Sequence, residues 1–370
     1  DPLTLVSIFG DAILEAITEG SLDKAFAGDM DYASYANAES RVVIDLSDLD
    51  GQNTVGAGED TLIGIQNVIG SDFDDELRGN LLGNTLIGGL GDDALYGEGG
   101  SDVLVGGAGD DYLHGGESVS GSTLLESDAA SYADAEDGVK VDLSIVGEQF
   151  TEAAGNDELV GIEELIGSEF DDELRGDDQA NILRGGDGND LLEGHGGDDR
   201  LDGGDGIDTA TYENDLGDVS SGDYSVVANL DSGSAVDGSD ANDTLVDVEK
   251  LIGSAAADHL VGNSNDNILD GGGGEDKLEG RGGSDHYLFL SGRDEVEIVE
   301  QADSGSDNRA EDEPSEVQDI LDFSAFDQNL TFTLHDDGTV TVIDASAAVL
   351  VSRAANVERL LGGSAENTFV

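Results

Sequence analysis

Residues 88–114 read GGLGDDALY, GEGGSDVLV, GGAGDDYLH, three nine-residue units laid end to end. In each, an aspartate stands sixth (Asp93, Asp102, Asp111) and a leucine eighth (Leu95, Leu104, Leu113). Apolar residues at this spacing do not trace one face of a helix, whose period is about 3.6 residues. A tight turn followed by a very short strand explains them. The glycines allow positive φ and close backbone approach in the turn, and the leucine of the strand points inward. Two units make one coil. Turns two units apart then stack on the same edge, which places Asp93 and Asp111 on one edge and Asp102 on the other.

A cation lodged between stacked turns meets carboxylates from both, together with the backbone carbonyls that a Gly-rich loop exposes. Such a cage offers about six or more hard oxygen ligands, which suits Ca²⁺ better than Mg²⁺. Composition points the same way. The chain has 370 residues, of which 85 are Asp or Glu and 14 are Lys or Arg, a formal charge of -71. With only 5% aromatics, such acidity ordinarily belongs to unfolded chains. A fold therefore needs bound cations against its self-repulsion. Nucleic acid is excluded as a partner, because its phosphates would be repelled. There is no Cys, which excludes disulfides and thiolate metal sites. No apolar stretch is long enough to span a membrane as a helix. Residues 1–30 lack the basic start of a signal peptide as they stand.

Working outward, a larger pattern recurs. DYASY (31–35) leads to the strand pattern RVVIDLS (41–47), a loop, DTLIGIQNVIG (60–70), and nonapeptides from Gly70, Gly79, Gly88, Gly97 and Gly106. The second copy runs DAASY (128–132), VKVDLS (139–144), DELVGIEELIG (157–167), then nonapeptides from Gly167, Gly176, Gly185, Gly194 and Gly203. The third has DTATY (208–212), YSVVANL (224–230), DTLVDVEKLIG (243–253), then nonapeptides from Gly253, Gly262, Gly271 and Gly280. The fourth has DILDF (319–323), LTFTL (330–334), TVTVI (339–343), ANVERLLG (355–362) and GGSAENTFV. Self-similarity at this scale marks one architecture repeated. The expected fold is all-β: a calcium-bound parallel β-roll or β-solenoid of stacked nonapeptide turns in several blocks, with a short N-terminal helical cap. The organisation reads as a cap or linker over 1–30, β-roll units over 31–127 and 128–207, a third unit with an acidic loop over 208–318, and an incomplete fourth over 319–370. Because the pattern stops after a single nonapeptide of the fourth copy, a piece of a longer protein is expected, or an end completed by a neighbouring molecule.

Residues 31–370 resemble RTX (repeats-in-toxin, hemolysin-type) proteins of the large multi-block kind, and the nonapeptide G-G-x-G-x-D-x-(apolar)-x carries the resemblance. It implies a Gram-negative exoprotein that leaves the cell unfolded through type I secretion and folds in extracellular calcium. The C-terminal export signal usual for such proteins is not identifiable here.

Carried over position by position, the sixth-place ligands are Asp75, Asn84, Asp93, Asp102 and Asp111 in the first block. They are Asp172, Asn181, Asp190, Asp199 and Asp208 in the second, and Asp258, Asn267, Asp276 and Asp285 in the third. Carbonyls are expected from Gly88, Gly89, Gly91, Gly97, Gly106, Gly107 and Gly109; from Gly185, Gly186, Gly188, Gly194, Gly203, Gly204 and Gly206; and from Gly271, Gly272 and Gly274. Sites are expected at the pairs 75/93, 84/102, 93/111, 172/190, 181/199, 190/208, 258/276 and 267/285, for a total of roughly six to ten ions across the chain. Asn in the second turn of each block brings no charge and predicts weaker sites. The first turns, SDFDD, SEFDD and SAAAD after their glycine, lack the fourth-place Gly.

Other groups carry blander expectations. Leu95, Leu104, Leu192, Leu201 and Leu278 are core. Asp92, Asp110, Asp171 and Asp198 face solvent rather than forming a catalytic dyad. Tyr32, Tyr35, Tyr132, Tyr212 and Phe323 are core at block junctions, with an exposed sugar-stacking row as the alternative. Residues 291–318, acidic and containing Pro314, are a solvated loop or a partner-binding arm. The five His are scattered, and no catalytic constellation assembles. The expected function is a secreted or cell-surface calcium-binding scaffold, not an enzyme: a surface layer, filament, matrix or adhesin stalk that self-associates or contacts surface polysaccharide. The alternatives are an accessory module of a secreted protease, lipase or alginate epimerase, or a carbohydrate-binding adhesin segment.

Overall fold

Leu77 stands beside Leu95, and Leu95 beside Leu113, in parallel register, each step 18 residues. Val68, Leu86 and Leu104 form the matching column of a second parallel sheet, again at steps of 18. All six side chains are at most 1% exposed. The two-unit coil read from the nonapeptide spacing is thus the repeating element, and it fills its interior with one apolar side chain per strand. Burying one leucine in this way contributes about 2 kcal/mol. Strands this short stay ordered because their backbones pair with the coils on either side.

The structure is a computed structural model. It describes residues 31–116, 127–214, 226–238, 241–289, 296–298, 319–326, 329–335, 339–344, 349–354, 357, 359–362, 365 and 367–370. The expected cap over 1–30 lies outside the described residues, and no helix occurs among them. The chain divides into two compact units, Asp1–Asp190 and Leu191–Val370.

In the first unit, one parallel stack takes Tyr32–Ser34, Asn67–Ile69, Thr85–Leu90, Val103–Ala108, Ala129–Ser131, Glu164–Ile166 and Ile182–Gly188 in order. On the opposite side lie Val43–Asp45, Glu76–Arg78, Ala94–Glu98, Tyr112–Gly116 and Asn156–Val160. In the second unit, one stack takes Leu191–Glu193, Thr209–Thr211, Lys250–Ile252, Ile268–Asp270, His286–Leu288, Ile320–Asp322 and Arg359–Leu361. Its companion takes Val227–Asn229, His259–Val261, Asp276–Glu279 and Val296–Ile298.

The copies enter their coils alike. Ala33 pairs with Val68 and Ala130 with Leu165 in the first unit; Ala210 pairs with Leu251 and Leu321 with Leu360 in the second. The following strand pairs Ile44 with Leu77, Val141 with Leu174, Ala228 with Leu260, and Phe332 with Phe369. After that following strand the sequence reading placed a loop, set out for the first copy between 41–47 and 60–70. Antiparallel strands occupy it instead: Gln52–Asn53 with Glu59–Asp60, Gln149–Phe150 with Asn156–Val160, and Ser234–Val236 between Val227–Asn229 and Asn242–Val246. An excursion that leaves and rejoins a column satisfies its backbone groups most directly by pairing with itself.

The block-junction aromatics Tyr35, Tyr132, Tyr212 and Phe323 are buried, as their core reading requires, whereas Tyr32 is 36% exposed. Phe323 stacks on Phe289 at 4.3 Å and meets Phe332 edge-on at 5.5 Å. One expectation is corrected. Residues 296–298, assigned to a solvated acidic loop, form a strand whose Val296 and Ile298 are buried against the coil. The alternation V-E-I buries its two apolar members. Residues 291–295 and 299–318 lie outside the described residues.

Candidate metal centre

All fourteen sixth-place residues are at most 3% exposed. Solvated loops would leave these side chains in water; here they turn into the stack. The reason is backbone economy. Where two turns stack, the N–H that opens each strand has no strand partner and needs an acceptor. The backbone N–H of Asp75 donates to Asp93 Oδ1 at 2.7 Å, and that of Asp93 to Asp111 Oδ1 at 2.8 Å. The same bond joins Asn84 to Asp102 at 2.7 Å and Asp172 to Asp190 at 2.8 Å. It also joins Asp258 to Asp276 at 3.0 Å and Asn267 to Asp285 at 2.8 Å. Six of the expected pairs are therefore brought together; 181/199 and 190/208 each have one member in either unit.

The other carboxylate oxygen separates the turns into two classes. In the first two turns of each block it is bonded inside its own loop. The second residue of the turn donates its N–H to the sixth: Ser71 to Asp75 at 2.5 Å, Asn80 to Asn84 at 2.7 Å, and Ser168 to Asp172 at 2.5 Å. Asp177 donates to Asn181 at 2.7 Å, Ser254 to Asp258 at 2.6 Å, and Asn263 to Asn267 at 2.7 Å. In the remaining eight turns the second residue has positive φ: Gly89, Glu98, Gly107, Gly186, His195, Gly204, Gly272 and Arg281. That conformation turns its peptide over. In these turns Asp93 Oδ2, Asp111 Oδ2 and Asp285 Oδ2 are buried without a hydrogen-bond partner.

Glycine at the first place has a separate reason. A Cβ on Gly88 would overlap Asp93 Oδ2, and one on Gly106 would overlap Asp111 Oδ2; Gly97, Gly194, Gly203 and Gly271 stand in the same relation to Asp102, Asp199, Asp208 and Asp276. The fourth-place glycines Gly91, Gly109, Gly188, Gly206 and Gly274 also have positive φ.

The electrostatics follow from burial. Asp93 is pushed up to about 8, by burial above all and by the charges of Asp111, Asp75 and Asp74, against the lowering effect of the Asp75 N–H. Burial lifts Asp111 and Asp285 to about 7, with Asp157 and Asp319 respectively as charged neighbours. Among the described residues, neither Asp93 nor Asp111 pairs with a Lys or Arg. The basic side chains sit elsewhere, as in Arg78 with Glu76 and Glu98 or Lys140 with Glu152 and Glu173. A buried carboxylate with one oxygen lacking a donor is costly unless a positive charge meets it. The site thus fits a hard cation. Among the described residues no three His, Cys, Asp or Glu side chains converge on one point. The residues that would hold the ion are accordingly one or two aspartates per stacked pair, with the remaining oxygens drawn from backbone carbonyls, an arrangement compatible with calcium.

The columns run further than the nonapeptides. Asp102 N–H donates to Asp128 Oδ1 at 2.8 Å and Asp111 N–H to Asp157 Oδ1 at 3.0 Å. In the second unit, Asp199 N–H donates to Asp243 Oδ1 at 3.0 Å and Asp285 N–H to Asp319 Oδ1 at 2.9 Å. The glycine motif misses these four because they lie outside it. A shorter signal finds them: each is followed two residues later by the inward apolar residue, as in Asp157-Glu-Leu159 and Asp243-Thr-Leu245. A second, exposed ladder occupies the fifth place. There the donors run the other way, from Asp92 N–H to Asp74 Oδ1 and from Asp110 N–H to Asp92 Oδ1, both at 3.1 Å. Asp171 and Asp198 accept likewise from Asn189 and Asn242 at 2.8 Å. These fifth-place acids are backbone caps.

No curated protein matches the chain. The family model described as the RTX calcium-binding nonapeptide repeat matches residues 69–104, 87–118, 159–192, 175–210 and 252–287. These segments contain all fourteen sixth-place residues, and over them the chain carries RTX-type calcium-binding nonapeptide repeats.

Proposed function

We propose that the chain is a structural scaffold that works outside the cell, as a segment of a surface layer, filament, matrix protein or adhesin stalk, and carries no catalysis of its own. Calcium completes its fold after secretion. In calcium-poor cytosol, repulsion among 85 acidic residues holds the chain extended and exportable. In calcium-rich surroundings, ions between stacked turns supply the charge that the buried aspartates lack, so metal binding and folding are one event. The observation that carries this reading is Asp93 and Asp111, buried in one column with an oxygen each lacking a donor. The recurrence of one coil entry in four copies supports a scaffold role, since each copy adds length to the same kind of core.

The test is to dissolve the chain in chelator, add calcium, and follow far-ultraviolet circular dichroism and electron micrographs together. The expected result is a β spectrum followed by ordered assemblies. A β spectrum that forms in excess chelator at neutral pH would overturn the calcium-dependent fold. Folding into a strict monomer would overturn the assembling scaffold alone.

A further inference from the structure

The second residue of each turn has a consequence for where the ions go. Six turns direct its N–H at the sixth-place oxygen, and eight turn that peptide over. A second, independent feature respects the same division. Asn occurs at the sixth place in three of the six closed turns (Asn84, Asn181 and Asn267) and in none of the open ones, where every turn with positive φ at its second residue has Asp. An amide oxygen suffices to accept an N–H. A cation needs the charge.

We propose that the second-place peptide selects which turns take calcium: the eight open turns take the ions through their sixth-place Asp, and the six closed turns ligate nothing with theirs. The inference rests on the calcium reading above and sharpens it. Asp75, Asp172 and Asp258 are then turn-closing residues, although they match the ligand position of the motif. Their oxygens already accept from Ser71, Ser168 and Ser254 through both the backbone N–H and the serine hydroxyl. The two closed turns come first in every block, so each block begins on a metal-free footing, and its calcium-dependent turns stack on that footing. Three of the eight open turns hold a residue other than glycine in the left-handed region (Glu98, His195 and Arg281), which places the requirement on peptide orientation rather than on glycine itself.

The experiment measures calcium stoichiometry of the full chain by equilibrium dialysis at saturating calcium, with circular dichroism confirming the fold of each variant. Asp75→Asn and Asp258→Asn keep the acceptor that Asn84 already supplies in a closed turn, and are expected to bind as many ions as the parent. Asp93→Asn and Asp276→Asn are expected to bind at least one ion fewer. Loss of an ion in either closed-turn variant, or no loss in both open-turn variants, overturns the selection rule. The two pairs lie in different units, so a folding defect in one leaves the comparison intact in the other. A parent chain that binds no calcium would overturn the calcium reading itself, a distinct result.

Discussion

The backbone N–H of Asp93 is held by Asp111 Oδ1 at 2.8 Å, across 18 residues of sequence. One side chain thus closes the backbone of the neighbouring coil while its second oxygen remains for a cation. An aspartate of an open turn can join backbone to cation, and the two consequences can be measured separately.

Calcium should raise stability by mass action. Each site filled at a hundred times its dissociation constant contributes about 2.7 kcal/mol. Melting followed at increasing calcium should show a steady rise in Tm. Magnesium at equal concentration should give a much smaller rise, because it sheds its waters reluctantly.

Asp93→Ala should destabilise the chain by about 1–3 kcal/mol already at the lowest calcium that folds it, since it strips the acceptor from the Asp75 N–H. The deficit should widen as calcium is added. Leu95→Ala, two residues further on and fully buried, should cost about 2–5 kcal/mol. Its deficit should not depend on calcium. Parallel urea titrations at limiting and at saturating calcium check the contrast.

Acid should replace calcium in part. Asp93 is raised to about 8, and Asp111 and Asp285 to about 7, from an ordinary value of 3.8. A carboxyl raised by folding binds its proton more tightly in the folded chain. Its contribution is therefore fully present below the unfolded pKa, near about pH 4, and is lost as pH rises through 7 to 8. The chelated chain, without a β spectrum at neutral pH, should gain one as pH falls towards about 4. With calcium present, protons compete for the same oxygens, so calcium affinity should fall as pH falls.

His195→Gly should stabilise the chain. His195 holds φ near 62°, where a side chain costs about 1–2 kcal/mol relative to glycine, partly offset by the freedom glycine adds to the unfolded chain. The expected gain is about 0.5–1 kcal/mol. Gly89→Ala should act in the opposite sense, because φ there is 117° and the new Cβ would press on the Ser71 carbonyl. Tm measurements in saturating calcium test both.

The coil was legible because Leu95, Leu104 and Leu113 fix its period, and Asp93, Asp102 and Asp111 fix which edge each turn occupies. The antiparallel excursions were not, since segments such as GQNTVGAGED (51–60) carry polar and glycine residues that a loop would carry equally well. Asp128 and Asp157 escaped notice because their place is set by the strand that follows them, not by glycines before them. The division into closed and open turns lay hidden for another reason. It depends on the orientation of one peptide, which Ser71 and Glu98 adopt differently although neither is glycine.

The two aspartate ladders of the first unit donate in opposite directions: the inner one forward along the chain, the outer one backward. Neighbouring coils are therefore laced both ways and cannot shear past one another without breaking both ladders at once. Pulled from its ends, the first unit should resist until one coil tears free whole, and then release about 60 Å of slack before the next holds. A force trace would show teeth of that spacing, taller at saturating than at limiting calcium.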